Sequence, residues 1–158
     1  MPVILVEAPR DIGIGIRPAL IRDLPRIMEI ERLAFGEQWD YYQFKASLDD
    51  VFLLAVDAAT ADIVGFLVAC CCEVSRRGII LRLAVHPDYQ GRGIATQLIH
   101  ISLGELKKKE LDEVELDVDI LRRGAVSFYE KVGFKVVEVF SPSQEDDDTF
   151  YIMRKKLG

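Results

Sequence analysis

The stretch Leu83-Ala84-Val85-His86-Pro87-Asp88-Tyr89-Gln90-Gly91-Arg92-Gly93-Ile94-Ala95-Thr96 organises the chain: an apolar run stops at a proline turn, and a glycine-spaced loop opens a new amphipathic run. The pattern predicts a strand, an anion cradle and a helix. Downstream, Ile94, Ala95, Leu98, Ile99, Ile101 and Leu106 cover one arc at helical spacing, while Thr96, Gln97, His100, Lys107 and Lys108 take the other side. The helix therefore begins inside Gly91-Arg92-Gly93. A helix start carries unpaired backbone N–H groups and a positive dipole end, and glycines let an anion approach that backbone without a Cβ in the way. Phosphate is the anion most often held so. The same two glycines would serve an ordinary tight turn. The Gly-Lys-Ser/Thr ending of a P-loop and the third glycine of a dinucleotide fingerprint are both missing.

Length and composition frame this centre. With 158 residues, half of them hydrophobic, the chain can bury one sizeable core and has no room for two ordinary domains. A net charge of −6 argues against a general nucleic-acid binder, which normally shows a basic face, and makes basic acceptors the more plausible partners. No apolar run reaches membrane-spanning length and no signal peptide is visible, so neither a membrane nor a secretory route is expected, and the default compartment is cytoplasmic. Cys70, Cys71 and Cys72 are adjacent in an apolar stretch, a spacing that suits neither a disulfide framework nor a zinc site. They read as buried strand thiols, and no metal is expected.

Outward from the centre, residues 1–11 are an N-terminal arm or an extra edge strand, and residues 12–158 a single domain. Ile12, Ile14 and Ile16 alternate with Gly13, Gly15 and Arg17 as a half-buried strand ending at Pro18. A helix follows from about Asp23, read as its N-cap with Pro25 close behind, through Ala34. A short helix is expected over Tyr41 to Leu48, after the aromatic and acidic loop Phe35-Gly36-Glu37-Gln38-Trp39-Asp40. Val51–Val56 and Ile63–Val74 form a hairpin with little visible chemistry, and Ile79–Val85 the central strand. Arg82 inside that strand needs a partner, and Asp117 is the candidate. Strand Val114–Asp119 returns after the helix, so strand-helix-strand connectivity implies parallel pairing. Its alternation puts Glu115 and Asp119 on a wet face.

The spacing Gln90-x-x-Gly93-x-Ala95 after Leu-Ala-Val-His-Pro-x-Tyr resembles the acetyl-coenzyme A motif of the GCN5-related N-acetyltransferase (GNAT) family. A second motif agrees: Ala125-Val126-Ser127-Phe128-Tyr129-Glu130-Lys131-Val132-Gly133-Phe134 is similar to that family's Ala-x-x-x-Tyr-x-x-x-Gly-Phe segment. The resemblance runs from about Ile12 to Leu157. It is strongest to the ribosomal-protein (RimI) type of bacterial and archaeal N-terminal amino-acid acetyltransferase. It implies an α/β (α+β) fold: a mixed, mostly antiparallel sheet of six or seven strands, two splayed parallel central strands, and flanking helices. It also implies acetyl-coenzyme A as cosubstrate, held by Leu83, Ala84 and Val85, by Gln90, Gly91, Arg92, Gly93, Ile94, Ala95 and Thr96, and by Arg122 and Tyr129. The expected reaction moves acetyl to a primary amine by direct attack in a ternary complex. The α-amine of a protein N-terminus is the first choice; a small amine, a polyamine or a lysine side chain is the alternative. A catalytically silent acyl-coenzyme A sensor is the reading from another class, and monomer and homodimer both stay open.

By the same resemblance Tyr129 is the proton donor to the departing thiolate. Asp117 falls where the ribosomal type has Glu on this strand, and Glu37 where archaeal relatives have Glu in the loop, so both are candidate bases. Carboxylates near pKa 4 need a perturbed site for that role. Two departures stand out. Arg122 replaces the family's Asn three residues before the Ala of the Tyr motif, and the loop Ser141-Pro142-Ser143-Gln144-Glu145-Asp146-Asp147-Asp148 stands where peptide-acetylating relatives often carry paired tyrosines.

Overall fold

A computed structural model describes residues 13–36, 38–143 and 148–158. In chain order it contains β1 (Ile14–Pro18), α1 (Leu24–Phe35), α2 (Tyr41–Ala46), β2 (Val51–Asp57), β3 (Ile63–Cys72), β4 (Arg77–Val85), α3 (Ile94–Lys108), β5 (Glu113–Asp119), α4 (Arg123–Val132), β6 (Lys135–Phe140) and β7 (Phe150–Lys156). The strands form one seven-stranded sheet in the order β1-β2-β3-β4-β5-β7-β6. Four neighbouring pairs, β1–β2, β2–β3, β5–β7 and β6–β7, are antiparallel. The β4–β5 pair is parallel, as the helical crossover requires, with a register of three residues from Arg77↔Glu113 to Ile79↔Glu115. The expected arm of residues 1–11 lies outside the described residues.

By internal contacts the chain divides into two compact units: the chain up to Cys70 with Ile80–Glu105, and Cys71–Ile79 with Leu106–Gly158. In the first, Leu24, Ile27 and Ile30 recur along α1 at helical spacing and bury against Phe44 of α2 and Phe52, Leu54, Phe66 and Ala84 of the sheet. The Phe44 ring meets Phe66 edge-on at 5.5 Å. On β3, a Cβ at Gly65 would lie 3.0 Å from the Ala84 carbonyl oxygen and 3.4 Å from Leu98. Glycine there lets α3 settle directly onto the strands that carry the loop.

In the second unit β5 buries Val114, Leu116 and Val118 in strict alternation. It pairs along its whole length with β7, from Glu113↔Lys156 to Asp119↔Phe150. Helix α4 ends on Gly133 at φ 117°, a left-handed terminator, and the chain turns into β6.

Three local expectations change. Asp23 makes no side-chain cap; its carboxylate takes a fork from Arg17 at 2.8 and 2.9 Å and the Leu20 N–H at 2.8 Å. A forked ion pair with one further bond outcompetes a cap of the adjoining helix. Glu115 is no solvated-face residue: half-buried, it accepts from Arg154 Nε at 2.8 Å. The three cysteines lie where β3 runs out toward an exposed turn, so Cys71 is exposed and Cys70 and Cys72 only half-buried. No described helix is long and apolar enough to cross a membrane.

Candidate active site

The loop after β4 is tied down by hydrogen bonds to backbone carbonyls. The His86 N–H donates to the Val64 carbonyl at 2.8 Å, the Tyr89 N–H to the His86 carbonyl at 2.9 Å, and Gln90 Nε2 to the Val85 carbonyl at 3.2 Å. Gly91 and Gly93 then take φ values of +80° and +81°, and a Cβ at either would meet nothing within 4 Å. The glycines are thus needed for backbone conformation and leave open space above it. Helix α3 begins at Ile94, and the Gln97 N–H donates to the Gly93 carbonyl at 3.1 Å. The N–H groups before Gln97 are those that an α-helix leaves without intrahelical acceptors.

Side chains divide as a backbone cradle requires. Gln90, Gly91, Arg92, Gly93 and Thr96 are exposed, Leu83, Val85 and Ala95 half-buried, and Ala84 and Ile94 buried as the packing that holds the loop. The Arg92 guanidinium lies 4.8 Å over the Tyr89 ring.

In the other unit, Tyr129 sits on α4 with its ring against Phe128 at 5.3 Å and the buried Phe134 at 5.8 Å. Its carbonyl accepts the N–H groups of Gly133 and Phe134, which close the helix. None of the described side chains takes a hydrogen bond from its hydroxyl. Burial, with the Asp117 charge adding to it and Arg122 opposing it, pushes the phenol up to about 12. Tyr129 is therefore protonated throughout the physiological range. Asp117 is exposed on β5, and Arg122 is exposed at the start of α4. Glu37 lies outside the described residues.

Arg82 does not pair with Asp117. Its Nε donates to Oε1 of Glu31 at 3.2 Å, its Nη2 bonds Oε2 of the same carboxylate, and Nη2 reaches Gln38 Oε1 at 3.3 Å. Its guanidinium carbon lies 4.2 Å over Phe35 and 5.5 Å over Trp39. Glu31 is completely buried and also accepts the Trp39 N–H at 3.2 Å. The sequence reading placed Glu31 on α1 without a role; its place in the turn that otherwise carries Ile27 and Ile30 was the available sign, since a carboxylate on an apolar face demands a cation.

The sequence model of the Acetyltransferase (GNAT) family matches residues 22–134, which include the loop and the tyrosine helix. The chain belongs to this family. It is similar to an N-alpha-acetyltransferase of Saccharolobus solfataricus, 28% identical over 97% of this chain and 99% of that one. N-alpha-acetyltransferase 30 of Schizosaccharomyces pombe is 35% identical over 63% of this chain and 61% of its own. Among solved structures, Ard1 from Thermoplasma volcanium superposes with a TM-score of 0.82 at 22% identity, covering 91% of this chain and 97% of that one. The ribosomal-protein-S18-alanine N-acetyltransferase of Escherichia coli gives 0.79 at 21%, covering 91% and 94%. These two likenesses confirm the fold expected from the motifs. As a GNAT enzyme the chain is an N-acetyltransferase whose cosubstrate is acetyl-coenzyme A. The glycine loop fits that group: open backbone donors at a helix start suit a pyrophosphate.

Proposed function

We propose that this GNAT enzyme acetylates the α-amine of protein N-termini. The observation that carries the reading is the correspondence, over nearly the full length of both chains, with a protein named N-alpha-acetyltransferase. Proton arithmetic supports it. An α-amine of pKa near 8 gives up its proton at pH 7 for roughly 1.4 kcal/mol, a lysine near 10.4 for about 4.6 kcal/mol. The buried carboxylate of Glu31 is committed to Arg82, and Asp117 is exposed to water, so the described residues favour the acceptor that needs less help.

When bound, acetyl-coenzyme A supplies the activated acetyl group as a thioester. The proposed holders of its pyrophosphate are the backbone N–H groups from Gln90 to Thr96, with Leu83, Ala84 and Val85 forming the strand end beside them and Arg122 a further cation. Tyr129 is the proposed acid. A phenol at about 12 facing a thiolate whose acid is near 8.5 keeps its proton at equilibrium, since full transfer would be uphill by about 5 kcal/mol. Its contribution begins as a hydrogen bond to sulfur that strengthens as charge builds there. Asp117 and Glu37 are the proposed relays for the amine proton, through water.

Thiol release from acetyl-coenzyme A measured with three acceptors tests the reading: a peptide with a free N-terminus, the same peptide N-blocked but carrying lysine, and a polyamine. Preference for the free N-terminus by tenfold or more is expected. Preference for the blocked lysine peptide or the polyamine would replace the acceptor, and binding without thiol release would make the chain a sensor.

A further inference from the structure

We infer that Asp57, at the end of β2, is a positioning residue of the phosphate loop whose negative charge also restrains the loop's affinity for the pyrophosphate of coenzyme A. This rests on the reading that Gln90 to Thr96 hold that group.

Asp57 is a fixed post. Its N–H donates to the Asp62 carbonyl at 2.8 Å, its carbonyl accepts the Ala61 N–H at 2.7 Å, and its Oδ1 accepts the Ala59 N–H at 2.9 Å. The second oxygen, Oδ2, accepts the Tyr89 hydroxyl at 2.9 Å. Among the described residues this is the side-chain hydrogen bond that ties the loop to the β2–β3 turn. The ring so held carries Arg92 on its face at 4.8 Å, and Arg92 sits between the two positive-φ glycines. One carboxylate thereby sets the place of a tyrosine, a guanidinium and the glycine backbone around it.

The charge of Asp57 is not cancelled in the process. No lysine or arginine among the described residues lies within ion-pair distance of it, while the Tyr89 hydroxyl first, then the Ala59 N–H and, last, the charge of Arg92 hold its carboxyl below the usual range. An anion therefore stands beside a loop whose task is to hold another anion. An enzyme that must release coenzyme A after every transfer gains from such a limit on binding. An exposed charge pair is worth about a two- to fivefold change in a binding constant.

Calorimetric titrations of coenzyme A and of S-acetylpantetheine, which lacks the pyrophosphate, into the full chain test this. In Asp57→Asn the amide keeps the Ala59 bond and can donate to the tyrosine oxygen, so only the charge is lost. Coenzyme A should bind two- to fivefold more tightly, the gain shrinking as salt rises, with S-acetylpantetheine unchanged. Tyr89→Phe cuts the tether and should weaken coenzyme A about threefold or more. A purely structural role predicts weakening in both variants, so unchanged or weaker binding by Asp57→Asn overturns the inference. Should the amide variant not fold, Asp57→Ser removes the charge together with the tether, so it should bind coenzyme A two- to fivefold more tightly than Tyr89→Phe, which cuts the tether alone, and equal or weaker binding overturns the inference. If the wild-type chain binds both ligands equally well, the cradle assignment itself fails; if it prefers coenzyme A and the two variants do not diverge, only the role of Asp57 fails.

Discussion

Replacing Tyr129 by phenylalanine deletes one hydroxyl and leaves the ring between Phe128 and Phe134. Because none of the described side chains accepts from that hydroxyl, the folded state loses no described contact, and the melting temperature should shift by no more than about 2 °C. Turnover at saturation should fall by about a hundredfold or more, the usual scale for losing one hydrogen-bond donor to a developing anion, with the KM for acetyl-coenzyme A within a few fold of wild type. The pH profile adds an independent sign. An ordinary tyrosine is half ionised near pH 10. Burial pushes Tyr129 up to about 12, so wild-type turnover should show no loss from phenol ionisation between pH 8 and 10. For stability the sign runs the other way: with the folded phenol above its unfolded value, the native state resists ionisation, and stability declines as pH rises past 10 toward 12. Saturated turnover of the phenylalanine variant with a free-N-terminus peptide decides the matter. Near-wild-type turnover removes Tyr129 from the chemistry, and a descending limb centred near pH 10 contradicts the desolvated phenol.

Gly93→Glu should abolish coenzyme A binding while the fold persists, because a side chain at this φ of +81° meets nothing within 4 Å and costs about 1–2 kcal/mol in backbone strain; Gly93→Ala, with the strain and without the charge, is the calorimetric control. Arg82→Met leaves the Glu31 carboxylate buried without its cation, at a cost of about 3–5 kcal/mol or roughly 10 °C in melting temperature, and adding Glu31→Gln should recover much of that in urea denaturation. Asp23→Asn should flatten the acid limb of stability: burial opposes ionisation of Asp23, but the Arg17 fork and the Leu20 N–H outweigh it and hold the carboxyl below its usual value. Its stabilisation is therefore present above about pH 4 and lost as pH falls through the lower folded pKa, which acid titration of both proteins followed by circular dichroism would show.

Periodicity and punctuation along the chain sufficed for most of the architecture. The Leu-Ala-Val run, the proline turn and the glycine pair placed β4, the loop and the start of α3, because strand alternation, helix spacing and positive-φ glycines are local requirements that a single segment expresses. Gly133 marked the end of α4 for the same reason. The two motifs together also carried the family. What the chain could not express locally was the pairing of charges distant in sequence. Arg82 demanded a partner, and the partner proved to be Glu31, 51 residues earlier on α1, rather than Asp117 on the following strand, because the packing of α1 against the sheet decides which carboxylate reaches the guanidinium. Nothing local to Asp57 points to Tyr89, which the fold sets against it from 32 positions away. Asp23 read as a cap until Arg17 claimed it. Likewise the sequence identified Tyr129 by its motif, but the rise of its phenol to about 12 comes from the burial and neighbouring charges that tertiary packing creates, since desolvation belongs to the surroundings of a group and not to its neighbours in the chain.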